Sequence, residues 1–248
     1  MKEQILHIEQ TIQKMRKLRL TAMANSLEQR LEKGEHRDMD PESFLSHLVD
    51  DEVEARSSRQ IKNLIKKAKL RPEQACLENI RHSAKRGFSK KDLERFYRVD
   101  WIDRGENMVF TGATGTGKTY LSEALAFQAC RMRRSARKLS QDMLLEEVRV
   151  HRAMGKYSKF MKDITNVDVL VIDDFVISEY DSHQYSEILH ILEERLGKSC
   201  TIITSQYPGK VWCERIPDPT LADAICDRLL MTSWVLEMKG ESQRKAPK

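Results

Sequence analysis

The chemistry in this chain is densest between Gly112 and Thr119, where Gly112-Ala113-Thr114-Gly115-Thr116-Gly117-Lys118-Thr119 follows an apolar run and opens a helical pattern. Glycines at these positions let the backbone curl so that its N–H groups point inward, and the helix that follows adds the positive end of its dipole. Such a cradle suits a polyphosphate. Lys118 is spaced to reach the β- and γ-phosphates of ATP, and the Thr119 hydroxyl to bind a magnesium ion. The expected nucleotide contacts are Gly112, Ala113, Thr114, Gly115, Thr116, Gly117, Lys118, Thr119 and the following Tyr120. The glycines are not in the dinucleotide-binding order, which disfavours a dehydrogenase.

About 55 residues downstream of this loop, the apolar run Val169-Leu170-Val171-Ile172 ends in Asp173-Asp174. A strand through the core would deliver both carboxylates beside the phosphates, with Asp173 holding magnesium and Asp174 polarising the attacking water. Another apolar run, Cys200 to Ser205, ends at Gln206. Gln206, in preference to Ser205, could position that water, unless this is simply a strand-ending turn. Residues 221–230 read as an amphipathic helix presenting Arg228. That arginine is either a surface salt-bridge partner or a finger reaching the γ-phosphate of a neighbouring subunit.

These residues need strand ends to hold them, and the pattern from Asn107 onward supplies them. Strands are expected at 108–111, 168–173 and 200–205, alternating with helices at about 118–133 and 182–196. Continuous apolar strands separated by helices imply an α/β fold with a parallel sheet sandwiched by helices. The first hundred residues read differently. Ile5, Ile8, Ile12 and Met15, then Met23, Leu27 and Leu31, recur at helical spacing, and Asp40-Pro41-Glu42 starts a long helix through Phe44 and Leu48 toward Ile65. Pro72 interrupts it. The expected division is a helical domain at 1–71, a basic connector at 72–104, an ATPase domain at 105–240 and a flexible tail at 241–248.

Residues 56–98 hold 14 Lys or Arg against 4 Asp or Glu, a positive field that attracts polyanions. Arg131, Arg133, Arg134, Arg137 and Lys138 cluster at one helix end, followed by Arg149, His151, Arg152, Lys156, Lys159 and Lys162. The expected DNA contacts are Lys62, Lys66, Lys67, Lys69, Arg134, Arg149, Arg152, Lys156 and Lys159, mostly to phosphates. Tyr157 could interleave with bases, whereas Phe160 suits a core. The five cysteines and seven histidines lack the spacing of a disulfide framework or a metal site. No apolar run reaches the roughly 18 residues of a membrane helix, and the start does not read as a signal peptide, so a cytoplasmic location is expected.

The P-loop, Ile172-Asp173-Asp174-Phe175, Ile202-Ile203-Thr204-Ser205-Gln206-Tyr207-Pro208, Asp223-Ala224-Ile225-Cys226-Asp227-Arg228-Leu229 and Gly240-Glu241-Ser242-Gln243-Arg244 together resemble the IstB-like transposition helper ATPases. So do Leu18-Arg19-Leu20-Thr21-Ala22-Met23-Ala24 and the long helix after Pro41. These are AAA+ relatives of the DnaC helicase loaders. The resemblance implies an AAA+ (ASCE) P-loop fold behind a small helical domain, without a separate C-terminal lid. It also implies an ATP-driven homo-oligomer on duplex DNA that partners a cognate transposase, hydrolyses ATP at subunit boundaries and uses Arg228 as its finger. Val176 stands where such proteins usually carry a glycine, and Gln243 where they carry a tyrosine. A DnaC-like helicase loader, or an ATP-gated DNA scaffold with negligible turnover, are the alternative readings.

Overall fold

A computed structural model describes residues 2–70, 75–80 and 87–242, apart from the side chains of residues 2–6 and 36. Pro72, Gln243, Arg244 and most of the expected tail lie outside the described residues. The chain forms two compact units, Met1–Lys62 and Asn63–Lys248.

The first unit is built from α1 (Lys2–Lys17), α2 (Thr21–Glu32) and most of α3 (Pro41–Lys67). Asp40 caps α3 as its spacing suggests: the Ser43 N–H donates to Asp40 Oδ1 at 2.9 Å, with Pro41 at the first helical position. No side chain of its own caps α2. Glu52 of α3 does so instead, accepting from the Ala22 and Met23 N–H groups at 2.8 and 3.0 Å while Arg56 donates to its other oxygen at 2.8 Å. A carboxylate at a helix N-terminus satisfies orphan donors and complements the dipole, and here it staples α2 to α3.

The second unit contains α4 (Lys90–Arg98), α5 (Asp100–Asp103), β1 (Asn107–Thr111), α6 (Lys118–Arg131), β2 (Ala136–Ser140), α7 (Gln141–Ala153), α8 (Tyr157–Thr165), β3 (Val169–Asp173), α9 (Ser182–Arg195), β4 (Cys200–Ser205), α10 (Gly209–Arg215), α11 (Pro219–Cys226) and β5 (Ser233–Glu237). The strands form one sheet in the order β2-β3-β4-β1-β5, and every pairing is parallel. Both faces are covered, as the continuous apolar strands require. Met108, Phe110, Val169, Val171 and Ile202 pack toward α6 together with Leu77, Phe88, Leu93, Phe96 and Trp101. Leu77, Phe88, Leu93, Phe96 and Trp101 all fall within 72–104, the stretch read from the sequence as a connector, and they are part of this core. Val109, Leu170, Ile172 and Ile203 face the other way, toward α7, α8, α9 and Trp212 of α10.

The two strands missing from the sequence reading lie at the sheet's edges. β2 carries Arg137 and Lys138, so it lacks the apolar run of a central strand, and both belong to this strand instead of the expected helix end. Arg137 Nη2 donates to both carboxylate oxygens of Glu147 of α7 at 3.0 and 3.1 Å, and the Lys138 N–H donates to the Ala68 carbonyl just past α3, covering part of the open edge. The helix expected at 221–230 is α11 followed by a π-helical turn, Asp227–Met231, which carries Arg228. Arg195 is buried and donates to the carbonyls of Ile164, Thr165, Val167 and Cys200, tying α8 and α9 to the lower end of the sheet. Burial pulls its pKa down to about 10, and the ring of carbonyl acceptors keeps the guanidinium satisfied. Tertiary packing also sets the Cys213 and Cys226 sulfurs 2.9 Å apart as free thiols. No helix among the described residues is long and apolar enough to cross a membrane.

Candidate active site

In a parallel sheet the helix-capped crevice lies at the carboxyl ends of the strands, and that is where β1, β3 and β4 deliver the expected residues. The loop after β1 runs through Gly112, Gly115 and Gly117, all at positive φ (140°, 88° and 98°). A side chain on Gly112 would strike the Met238 carbonyl oxygen at 2.1 Å, and one on Gly115 would strike Ser242 Oγ at 2.3 Å. Only glycine therefore fits the cradle, and the segment after β5 runs beside it. Lys118, the first residue of α6, is 6% exposed and donates to the carbonyls of Gly112 and Ala113 at 2.7 and 2.9 Å, which holds its ammonium inside the loop. Tyr120 turns away, and its hydroxyl sits 3.5 Å from the backbone of Cys76.

Asp173, at the end of β3, is the hub. Its Oδ1 accepts from Thr119 Oγ1 at 3.0 Å and from Thr204 Oγ1 of β4, while Lys138 Nζ lies 3.2 Å from Oδ2. Lys138 is also 2.6 Å from Glu123 of α6. Burial works against the Lys138 charge, but the hydrogen bond and charges of Glu123 and Asp173 outweigh it and raise its pKa above the usual lysine value. The hydroxyl of Thr119 and the carboxylate of Asp173 are hard oxygen donors within reach of one ion, the ligand type that magnesium takes beside phosphates. The donor set fits that metal.

Asp174 follows with φ 55°, and Val176 with φ 60°, a left-handed conformation that strains any residue with a Cβ. The loop is held there from several sides. Thr204 Oγ1 accepts from the Asp174 N–H at 3.2 Å, Gln141 Oε1 from the Val176 N–H at 2.8 Å, and Ser205 Oγ donates to the Phe175 carbonyl at 2.8 Å. Arg215, at the end of α10, donates to the carbonyls of Val176 and Ile177 at 3.0 and 3.3 Å. This turn takes the backbone out of the strand at Asp174, directly after Asp173.

At the end of β4, Ser205 is fully buried and engaged with Phe175 and the Trp212 indole N–H, whereas Gln206 reaches the P-loop, accepting from Thr114 Oγ1 at 2.9 Å. Of the two polar candidates, only Gln206 faces the cradle. Arg228 donates to the Ala224 carbonyl at 2.8 Å and pairs with Glu193 of α9 at 2.7 Å, with its Nε buried and unpartnered among the described atoms. Thr204, Gln141 and Arg215 escaped the sequence reading as site residues, and Lys138 was read only as part of a basic cluster. Thr204 had a signal, since it sits one residue before the polar strand end, but the other three act across sequence gaps of about 35 residues that no local pattern exposes.

The basic residues are dispersed over the surface. Lys62, Lys66, Lys67, Lys156 and Lys159 are exposed, and no acidic side chain among the described residues forms an ion pair with them. Others are already paired: Lys69 with Glu147 at 3.0 Å, Arg149 with Glu146 at 2.6 Å, Arg134 with Asp103 and Arg152 with Glu187. Tyr157 bonds Glu187 at 2.8 Å beneath Arg152, and Phe160 is buried against His151.

Residues 13–248 match the family described as IstB-like ATP binding protein. The chain belongs to that family. An insertion sequence ATP-binding protein of Sinorhizobium fredii is 32% identical over 95% of this chain and 96% of its own length. The insertion sequence IS21 ATP-binding protein of Pseudomonas aeruginosa is 26% identical over 92% of this chain and 86% of its own. Among solved structures, the DnaC helicase loader superposes with a TM-score of 0.54 at 22% identity, covering 66% of this chain and 97% of that one. The replication initiator DnaA, bound to AMPPCP and single-stranded DNA, superposes with a TM-score of 0.56 at 19% identity over 69% of this chain and 51% of that one. At these identities the likeness establishes the fold, which is that of the AAA+ P-loop proteins. This IstB-like chain therefore carries its P-loop, its paired acids and Gln206 on an AAA+ sheet, in a family of insertion-sequence ATP-binding proteins.

Proposed function

We propose that this protein hydrolyses ATP with magnesium, assembles on duplex DNA as a homo-oligomer, and recruits or activates the transposase of its insertion sequence. The observation that carries the hydrolysis is the convergence of three strand ends: Thr119 touches Asp173, and Thr114 touches Gln206, across 54 and 92 residues of sequence. Lys118 and the loop N–H groups would bind the phosphates, and Thr119 with Asp173 would hold magnesium, which supplies charge at the β- and γ-phosphate oxygens. Asp174, turned off the strand, and Gln206 would orient the attacking water. Arg228 is 28% exposed and its partner Glu193 46%. An ion pair of that exposure contributes about 0–1 kcal/mol, so Arg228 can leave it for a neighbour's γ-phosphate at little cost.

Exposed Lys62, Lys66, Lys67, Lys156 and Lys159 support binding to phosphates, with the helices of 1–71 serving DNA or the partner and 105–240 the nucleotide. The names of the relatives support transposition as the process. The test is ATP turnover by the full-length protein with and without duplex DNA, alongside Asp174→Asn. DNA-stimulated turnover that disappears in the variant while ATP still binds is the expected result. Equal turnover in both proteins sinks the assignment.

A further inference from the structure

Lys138 belongs to neither the phosphate cradle nor the basic surface. Its ammonium lies between Glu123 Oε1 at 2.6 Å and Asp173 Oδ2 at 3.2 Å, and the three side chains are 17%, 16% and 8% exposed. Glu123 stands one helical turn beyond Thr119 on α6, and Asp173 accepts from the Thr119 hydroxyl that would ligate the metal, so Lys138 bridges the two carboxylates at the edge of that site. The lysine is fixed from behind. Its Cα is in register with Val171 of β3, and its N–H donates to the Ala68 carbonyl at 3.2 Å.

The charges in this pocket explain what the lysine does. Two carboxylates and one ammonium sum to a single negative charge. Without the ammonium, two poorly hydrated carboxylates would be left unbalanced, one of them bonded to the hydroxyls of Thr119 and Thr204, an oxygen-rich acidic site that draws divalent cations without help. The geometry points to Lys138 as a built-in counter-cation that closes the magnesium site to free divalent cations and makes metal entry depend on nucleotide phosphates. This rests on Thr119 and Asp173 being the magnesium ligands. The phosphates add the further negative charge that Lys138 offsets in the pocket. An ATPase of this design does not commit to a metal before its nucleotide arrives.

Lys138→Met keeps the bulk of the stem and removes the charge. Manganese binding to the nucleotide-free, full-length protein, read by electron paramagnetic resonance, should be about tenfold tighter or more in this variant, because an adjacent unit charge has been deleted. Its melting temperature should climb with added magnesium where that of the wild type stays flat. Lys138→Arg should behave as wild type, and Asp173→Asn added to Lys138→Met should cancel the gain. Unchanged manganese affinity in Lys138→Met, or equally tight binding by the nucleotide-free wild type, overturns the proposal. Should Lys138→Met fail to fold, Glu123→Gln tests the same balance from the other side. With the lysine then facing Asp173 alone, the magnesium dependence of ADP binding should weaken by about threefold or more, while ADP affinity in chelator stays constant. No weakening there also overturns it. If wild-type nucleotide affinity is the same with and without magnesium, the ligand assignment of Thr119 and Asp173 falls as well, an outcome distinct from failure of Lys138 alone.

Discussion

Around the ends of β1, β3 and β4, Asp173 and Lys118 are each held by several neighbours, whereas the nine lysines and arginines expected to meet DNA lie on the surface and four of them already have an acidic partner. Asp173 is bonded by Thr119, Thr204 and Lys138, and Lys118 by two loop carbonyls. Lys69, Arg134, Arg149 and Arg152 are paired within the chain, and Lys156 and Lys159 stand open. Burial forces a charge to have designated partners, so its position is determined; exposure leaves it to water and to whatever approaches. Counting basic residues in a sequence therefore overstates the charge free to meet a polyanion, while a motif whose residues end on strands understates how completely its site is prearranged.

The sharpest break of that comparison is Lys118→Ala. Removing the one ammonium inside the loop should cost ATP affinity about two orders of magnitude or more, since a charge-assisted hydrogen bond disappears from a desolvated site. A fluorescent nucleotide titration giving wild-type affinity would overturn the P-loop assignment.

Next in size are the turnover variants. Arg228→Ala should bind ATP normally as a monomer yet lose roughly three orders of magnitude in turnover, the range for arginine fingers. Mixed with Lys118→Ala, it should regain partial activity, because a subunit keeping Lys118 can face one keeping Arg228. If the two co-assemble and no activity returns, Arg228 does not act between subunits. Asp174→Asn should bind ATP and turn it over orders of magnitude more slowly, as Asp173 remains in place.

The surface should respond by smaller, additive steps. Replacing Lys156 and Lys159 by alanine should reduce the slope of log affinity against log salt by about 0.9 for each phosphate no longer neutralised, whereas Arg149→Ala, which also frees Glu146, should change the slope less. Equal effects would mean that the pairing with Glu146 dissolves on DNA. The smallest effect concerns Val176. Relief of its left-handed backbone offsets part of the burial that is given up, so Val176→Gly should destabilise by about 1 kcal/mol less than Val171→Gly in an unstrained strand. Chemical denaturation of both variants settles this; equal losses would mean the φ of 60° carries no strain.

Much of this molecule was legible in its sequence because local rules apply where the chain is most constrained. Three central strands must be apolar throughout, since helices cover both faces, so strands were legible at 108–111, 168–173 and 200–205, each within a residue of the observed Asn107–Thr111, Val169–Asp173 and Cys200–Ser205. The glycines and Lys118 were readable because a phosphate cradle tolerates no Cβ, and Asp40-Pro41 because a helix start needs a cap. Gln206 was preferred to Ser205 on the sequence alone, and the structure adds the reason in space: Ser205 turns inward to Trp212 while Gln206 meets Thr114. β2 and β5 were not readable. As edge strands they are partly solvated, and charges neutralised across the fold, such as Arg137 with Glu147, can replace the apolar run. Only tertiary structure joined Lys138 to Asp173, Glu52 to α2, and Arg215 to the loop after the paired acids. Each of these links two elements far apart in the chain, and their complementarity is one of charge and hydrogen bonding at a point in space, which sequence periodicity does not record.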